Sequence, residues 1–376
     1  MTSAVHYITE FDRDPCPADA LSDDLGLTVA TRPVSYGSIP YYISFCFPQF
    51  TDIDVICEGV RGSSLAATPS RSRIAAAGEA MEILCAKNPT PSRLLDALSL
   101  PKTNRFDCAK FSKPWPDCHQ EATDHDYMWV EAQDILRGDT QYVPAQLVYS
   151  NSRFAHEPTL RPEFNSCGTA FGPDGVDHAR LHALLELIER DASLNAFLNC
   201  PTLVKIEGEP RHLTATLHAL KAQGLEVTFF DITTGLDAPA VLAICTDHTG
   251  GRPAVTTGSS AKLNYAAAME RALCEALQSR FGLKTLLDQD PQACEDIFPG
   301  RELGGLNRAL FWANPRNQSL ITNLTDRYTR VAFSDLEDFS TTQERILQEL
   351  SARDWTSTKS ISRHPFWRNM AMRSKS

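Results

Sequence analysis

The sequence predicts a mixed α/β (α+β) fold, a sheet flanked by acidic helices that converge on one site. Three observations carry this. Strand-like runs alternate with amphipathic helices along the chain, which implies a sizeable sheet. Three of the helices carry paired carboxylates with arginine nearby: Glu79 and Glu82, Glu186 and Glu189 with Arg190, and Glu270, Arg271, Glu275, Gln278 and Arg280. Each of these helices follows a run of small residues. The recurrence is uneven, so it is not a solenoid. With 376 residues and 42% hydrophobic content, the chain can bury a large core.

In chain order, residues 1–55 read as an approach segment (1–30) followed by the first strands, ISFCFPQF and IDVICEG. The N-terminus is acidic and has no apolar h-region, so no signal peptide is expected. Residues 56–290 form the expected core. Arg61-Gly62 and the serines after it read as a loop feeding the first acidic helix. An irregular insert follows at 88–126. It holds Cys108, Cys118, His119 and His125, but C-x9-C-H matches no standard finger, so it reads as a surface loop.

Trp129 to Tyr149 alternates around a Gly-Asp turn, predicting a hairpin. A small-residue loop, Ser166 to Gly175, leads the central helix from Val176. There Glu186 and Glu189 share one face among Leu184, Leu185, Leu187 and Ile188, so each raises the other's cost of ionising unless a cation joins them. Arg190 can supply that charge by pairing with Glu186 within the helix. Val204 to Asp231 reads as strand, helix (His212 to Gln223) and strand, and Ala238 to Thr246 as a buried strand. Gly258-Ser259-Ser260 reads as a loop before the third acidic helix, about Ala261 to Phe281. Residues 291–376 continue the same domain with a strand (Tyr328 to Phe333), a helix (Thr341 to Arg353) and a polar tail.

The formal charge of -11 argues against nucleic acid or an anionic membrane as partner. No apolar run is long enough to span a bilayer. Eleven scattered cysteines without an export signal fit reduced thiols in the cytoplasm. Converging carboxylates, arginines and glycine-rich turns suit a metal-bound polyphosphate, in which glutamates hold Mg2+ and arginines and amides meet phosphate. No P-loop or kinase signature is present.

S-x-G-x-A-x-G (Ser166 to Gly172), E-x-x-E-R-D (Glu186 to Asp191) and R-A-L-x-E-A-x-Q-S-R (Arg271 to Arg280), with R-G-S-S and G-E-A-x-E upstream, resemble the YcaO domain in order and content over about residues 55–285. The resemblance implies a YcaO-type fold with ATP and Mg2+ as cofactors. It implies O-phosphorylation of peptide backbone amides, most simply cyclodehydration of Cys, Ser or Thr to azolines in bacteriocin-type biosynthesis. Thioamide or amidine formation uses the same activation, and a non-catalytic scaffold subunit is the alternative of another class.

By the same resemblance, Glu79, Glu82, Glu186 and Glu189 are expected metal ligands. Arg61, Ser166, Arg190, Gln278 and Arg280 are expected around the nucleotide. Glu275 and Arg280 are the expected catalytic pair, with Glu275 ordering the site. Gln278 and Arg280 can also be read as scaffold behind that site. The implied partners are a precursor peptide, an E1-like or leader-recognition protein and a flavin dehydrogenase, with a homodimer left open. Departures from the family pattern are Ile83 where arginine is common, Ala75 where serine is frequent, His178 where an acid is common, and the lack of a Pro-x-Pro-x-Pro end.

Overall fold

In a computed structural model, residues 26–48, 59–89, 91–107, 123–149, 154, 156–157, 176–199, 202–295, 297, 305–325 and 328–352 are described. Strands β1 (Leu27–Tyr36) and β2 (Ile39–Pro48) pair antiparallel along their full length, and β3 (Gly62–Ala66) adds to β2, giving a sheet of order β1-β2-β3. Helix α1 (Pro69–Lys87) starts where it does because Thr68 caps the amide of Arg71 and Pro69 occupies the first turn. Its alanines at 76, 77 and 80 let it lie close on Leu27, Val29 and Cys46.

The insert supplies short turns and β4 (Leu95–Asp96), which joins β5 (Met128–Gln133) and β6 (Thr140–Pro144) around the buried ring of Trp129. The predicted hairpin is present, but its second arm ends at Pro144 in a single 3-10 turn, Ala145–Leu147. Cys108, Cys118 and His119 lie outside the described residues, as do Ser166 to Gly175 and the C-terminal tail.

After α2 (Val176–Asn199) come β7 (Leu203–Glu207), α3 (Thr214–Ala222), β8 (Leu225–Asp231), β9 (Ala240–Asp247) and β10 (Val255–Ala261). Then follow α4 (Tyr265–Gln289), α5 (Gly305–Ala313), α6 (Gln318–Thr325), β11 (Tyr328–Ala332) and α7 (Gln343–Ala352). The second sheet has the order β10-β9-β8-β7-β11, antiparallel except for the β7–β11 pair.

Strand β9 explains the layering. Its residues alternate between two cores, as a period of two requires. Val241, Ala243 and Cys245 join Tyr41, Ile43 and Leu65 of the first sheet and Met269, Leu273 and Leu277 of α4. Ala240, Leu242 and Ile244 join Leu184, Leu185 and Ile188 of α2, with Ile346 and Leu350 of α7. Thus α4 lies between the two sheets, and α2 covers the opposite face of the five-stranded one.

The structure corrects three expectations. Strand β1 begins at Leu27, within the stretch read as an approach segment. The small residues before the first and third acidic helices are strands β3 and β10 rather than loops. The third helix starts at Tyr265, after Asn264 caps the amide of Ala267, and runs on to Gln289.

Candidate functional site

The two misread strands share one design. Gly62-Ser63-Ser64, the cap Thr68, Ala76, Glu79, Ala80 and Glu82 recur 196 residues later as Gly258-Ser259-Ser260, the cap Asn264, Ala272, Glu275, Ala276 and Gln278. Both glycines lie against the helix of their own unit. A Cβ on Gly62 would stand 1.8 Å from the carbonyl oxygen of Ala76, and one on Gly258 would stand 2.3 Å from that of Ala272. Only glycine permits so close an approach. The repetition in register was readable from the sequence and is its strongest unused signal.

Both strands end their sheets, which leaves outward amides without a strand partner. The unit's glutamate takes the amide after its glycine: Ser63 N–H donates to Glu79 Oε2 at 2.6 Å, and Ser259 N–H to Glu275 Oε2 at 2.9 Å. From α2, Glu189 accepts from Ser259 Oγ at 3.0 Å and Ala261 N–H at 3.3 Å. Glu79, Glu82, Glu186, Glu189 and Glu275 are thereby brought together from three helices.

Their electrostatics follow from this crowding. Burial, then Glu186 and Glu79, push the Glu82 carboxyl up to about 7. Burial and Glu275 push Glu189 up to about 7, against the hydrogen bond from Ser259 and the charge of Lys262. Burial also raises Glu275 and Glu79, while Arg271 opposes both shifts. These carboxylates lack sufficient positive charge in the free protein. Among the described residues, no three His, Cys, Asp or Glu side chains are grouped closely enough to share one ion. That donor set fits Mg2+ on a polyphosphate, which takes one or two carboxylates and completes its shell with phosphate and water.

The expected cations divide. Arg190 bonds Glu186 Oε1 through both Nε (3.0 Å) and Nη2 (2.6 Å), within one helical turn. Arg61 is exposed beside Glu79, whose ionised form it favours. Gln278 acts as a substitute strand for β3: its Oε1 accepts from Leu65 N–H at 3.1 Å and its Nε2 donates to Ser63 O at 3.1 Å.

Arg280 is not gathered with the glutamates. Its guanidinium donates to Pro253 O at 2.7 Å and to Asp247 Oδ2 at 2.6 Å, in a nearly buried ion pair at the β9–β10 turn. Five residues beyond Glu275, it faces another side of α4. Both Gln278 and Arg280 therefore hold scaffold positions here. Ser166 lies outside the described residues.

The sequence reading left Lys262 and Arg271 without roles, and the structure adds both to the site through their fields on Glu189 and Glu275. It also shows His178 stacked on His182, with ring centroids 4.3 Å apart and His178 Nδ1 buried without a hydrogen-bond partner. Burial, Lys262, His178 and Arg271 push His182 down to about 4, so it is neutral near pH 7.

The family model for YcaO cyclodehydratase, described as ATP- and Mg2+-binding, matches residues 64–357. An uncharacterized protein of Methanothermobacter thermautotrophicus is 29% identical over 222 residues, 56% of each chain. An "uncharacterized protein in tfuA 3'region" of Rhizobium leguminosarum bv. trifolii is 30% identical over 164 residues, 40% of this chain and 38% of that one. The matched stretches thus span about half or less of these curated relatives. In structure, the chain is similar to YcaO from Methanopyrus kandleri bound with AMPPCP and Mg2+ (TM-score 0.60, 19% identity, 90% of this chain and 80% of that one). It is similar in fold to a chain of the E. coli microcin synthetase McbBCD complex (TM-score 0.64, 19% identity, 86% and 80%).

Proposed function

This chain belongs to the YcaO cyclodehydratase family, and on that premise we propose that it uses ATP and Mg2+ to activate backbone amides of a peptide by O-phosphorylation. The observation that carries the reading is the meeting of five glutamates from α1, α2 and α4, two of them raised to about 7 by burial and by one another. Such a set calls for a cation and, through it, a polyphosphate.

An amide oxygen is a poor leaving group, and phosphorylation makes it a good one. A nucleophile adds to the carbonyl carbon and loses its proton. The carbonyl oxygen then takes the γ-phosphoryl group as ADP departs. Cleavage of the C–O bond releases phosphate, and loss of the amide N–H proton leaves C=N. With a Cys, Ser or Thr side chain as nucleophile the product is an azoline, and this is the reaction we assign.

In this reading Glu79, Glu82, Glu186 and Glu189 hold Mg2+, which when bound neutralises phosphate charge. Arg61 and Arg190 face the phosphates. Glu275 keeps β10 in place by holding the Ser259 amide. The precursor peptide arrives through an E1-like or leader-recognition partner.

A second reading, thioamide formation with a sulfide source as nucleophile, is favoured by one observation. The Rhizobium relative is named for its place beside tfuA, and a TfuA-like partner points to sulfur transfer. A scaffold without catalysis is disfavoured by the retention of all four paired glutamates.

Isothermal titration with AMPPCP tests the common premise. Binding should require Mg2+ and be lost in Glu186→Gln, Glu189→Gln; no binding by folded wild type, alone or with its partner present, sinks it. Mass spectrometry of a modified peptide then decides between the readings, as loss of water or exchange of oxygen for sulfur.

A further inference from the structure

At two positions the second strand–helix unit carries a cation whose charge acts on the glutamates while the first carries alanine. Where the first unit has Ala66 and Ala75, the second has Lys262 and Arg271. The first unit shows that alanine satisfies the packing at both places, so neither cation is demanded by the strand–helix contact itself. Arg271 has a partial structural task, reaching Ser64 Oγ at 3.5 Å. Lys262 has none of this kind among the described residues: its backbone amide donates to Pro239 O at 3.0 Å, while its ammonium makes no ion pair within 4 Å.

That lack of pairing is informative. Lys262 directly follows Ala261, whose amide is held by Glu189. Burial and then Arg271 work against the charge of Lys262, while Glu189, Glu275 and Glu186 favour it. The backbone holds this lysine in an acidic, poorly screened site while its ammonium makes no ion pair within 4 Å among the described residues, so the charge it brings is left to be met by a further anion. A carboxylate cannot bind phosphate without a cation, whereas an ammonium binds it as a point charge. The arrangement carboxylate, metal, phosphate, ammonium satisfies every member.

Resting on the ATP reading above, we propose that Lys262 is a direct ligand of the nucleotide's polyphosphate, the counterpart of the glutamate-held metal on the phosphates' other side. The proposal gives the second unit a cation where the first has alanine. The first contributes carboxylates, with the exposed Arg61 just ahead of its glycine, and the second contributes a carboxylate and a phosphate-facing lysine on its own strand–helix connection.

The test compares AMPPCP and AMP binding, each with Mg2+, in wild type, Lys262→Met and Lys262→Arg. Loss of a charged hydrogen bond should weaken AMPPCP about tenfold or more in Lys262→Met. AMP binding and melting temperature should change little, and Lys262→Arg should recover most of the affinity. If wild type binds AMPPCP and Lys262→Met binds it equally well, this proposal falls while the ATP reading stands. If Lys262→Met weakens AMP as much as AMPPCP and lowers the melting temperature, the lysine is structural and the proposal is overturned. If wild type binds no nucleotide, both fall together.

Discussion

Glu189 accepts two hydrogen bonds that favour its charge and still has its carboxyl raised to about 7. Desolvation and Glu275 therefore outweigh the donors, which sets a sign for pH dependence. A carboxyl whose pKa is raised in the folded state contributes stability that is fully present below its unfolded value, near 4.5, and is lost as pH rises through about 7. Glu82 acts in the same direction. The melting temperature of the free protein should fall between pH 5 and pH 8, and Glu189→Gln should flatten the decline. Equal slopes in wild type and variant would show that the crowding at Glu189 is not felt.

At the scale of elements, the organising contact is a glycine-bearing edge strand pressed on an alanine-bearing helix. Gly258→Ala puts a methyl group against the backbone of Ala272 and Ala276, where no side chain can yield. Overpacking of that kind costs about 3 kcal/mol or more. Urea denaturation should show a matching loss of stability; a change near zero would mean that β10 and α4 can separate freely.

This contact also explains what the sequence revealed and what it hid. The helices were legible because the paired glutamates and the apolar residues between them mark a face, although the cap Asn264 went unread and the third helix was therefore expected to start near Ala261 rather than at Tyr265. The strands β3 and β10 were not, because glycine and serine favour turns by propensity and only the opposing alanines make them strands. Glu79, Glu82, Glu186 and Glu189 stood out as i, i+3 pairs recurring along the chain, and the family resemblance is what nominated them as metal ligands. Gln278 and Arg280 could not be placed, since their partners, Leu65 and Asp247, are distant in sequence. Lys262 went unnoticed because its meaning depends on comparison with Ala66.

For the whole molecule, the consequence is that the site belongs to neither sheet alone. Glu79 and Glu82 stand on the helix of the first sheet, while Glu186, Glu189 and Glu275 come from helices packed on opposite faces of the second. A ligand that joins these carboxylates through metal must also join the two sheets. Its binding energy then adds to the stability of the assembled fold, by about 2.7 kcal/mol at a hundred times Kd. Calorimetry with AMPPCP and Mg2+ should show one transition moving upward by several degrees. The shift should vanish in Glu186→Gln, Glu189→Gln. Two transitions, of which only one moves, would mean that the sheets melt independently and that the ligand is held within one of them. The buried joint of Tyr41, Ile43 and Leu65 with Met269, Leu273 and Leu277 argues for the single transition, because that core cannot open on one side without exposing the other.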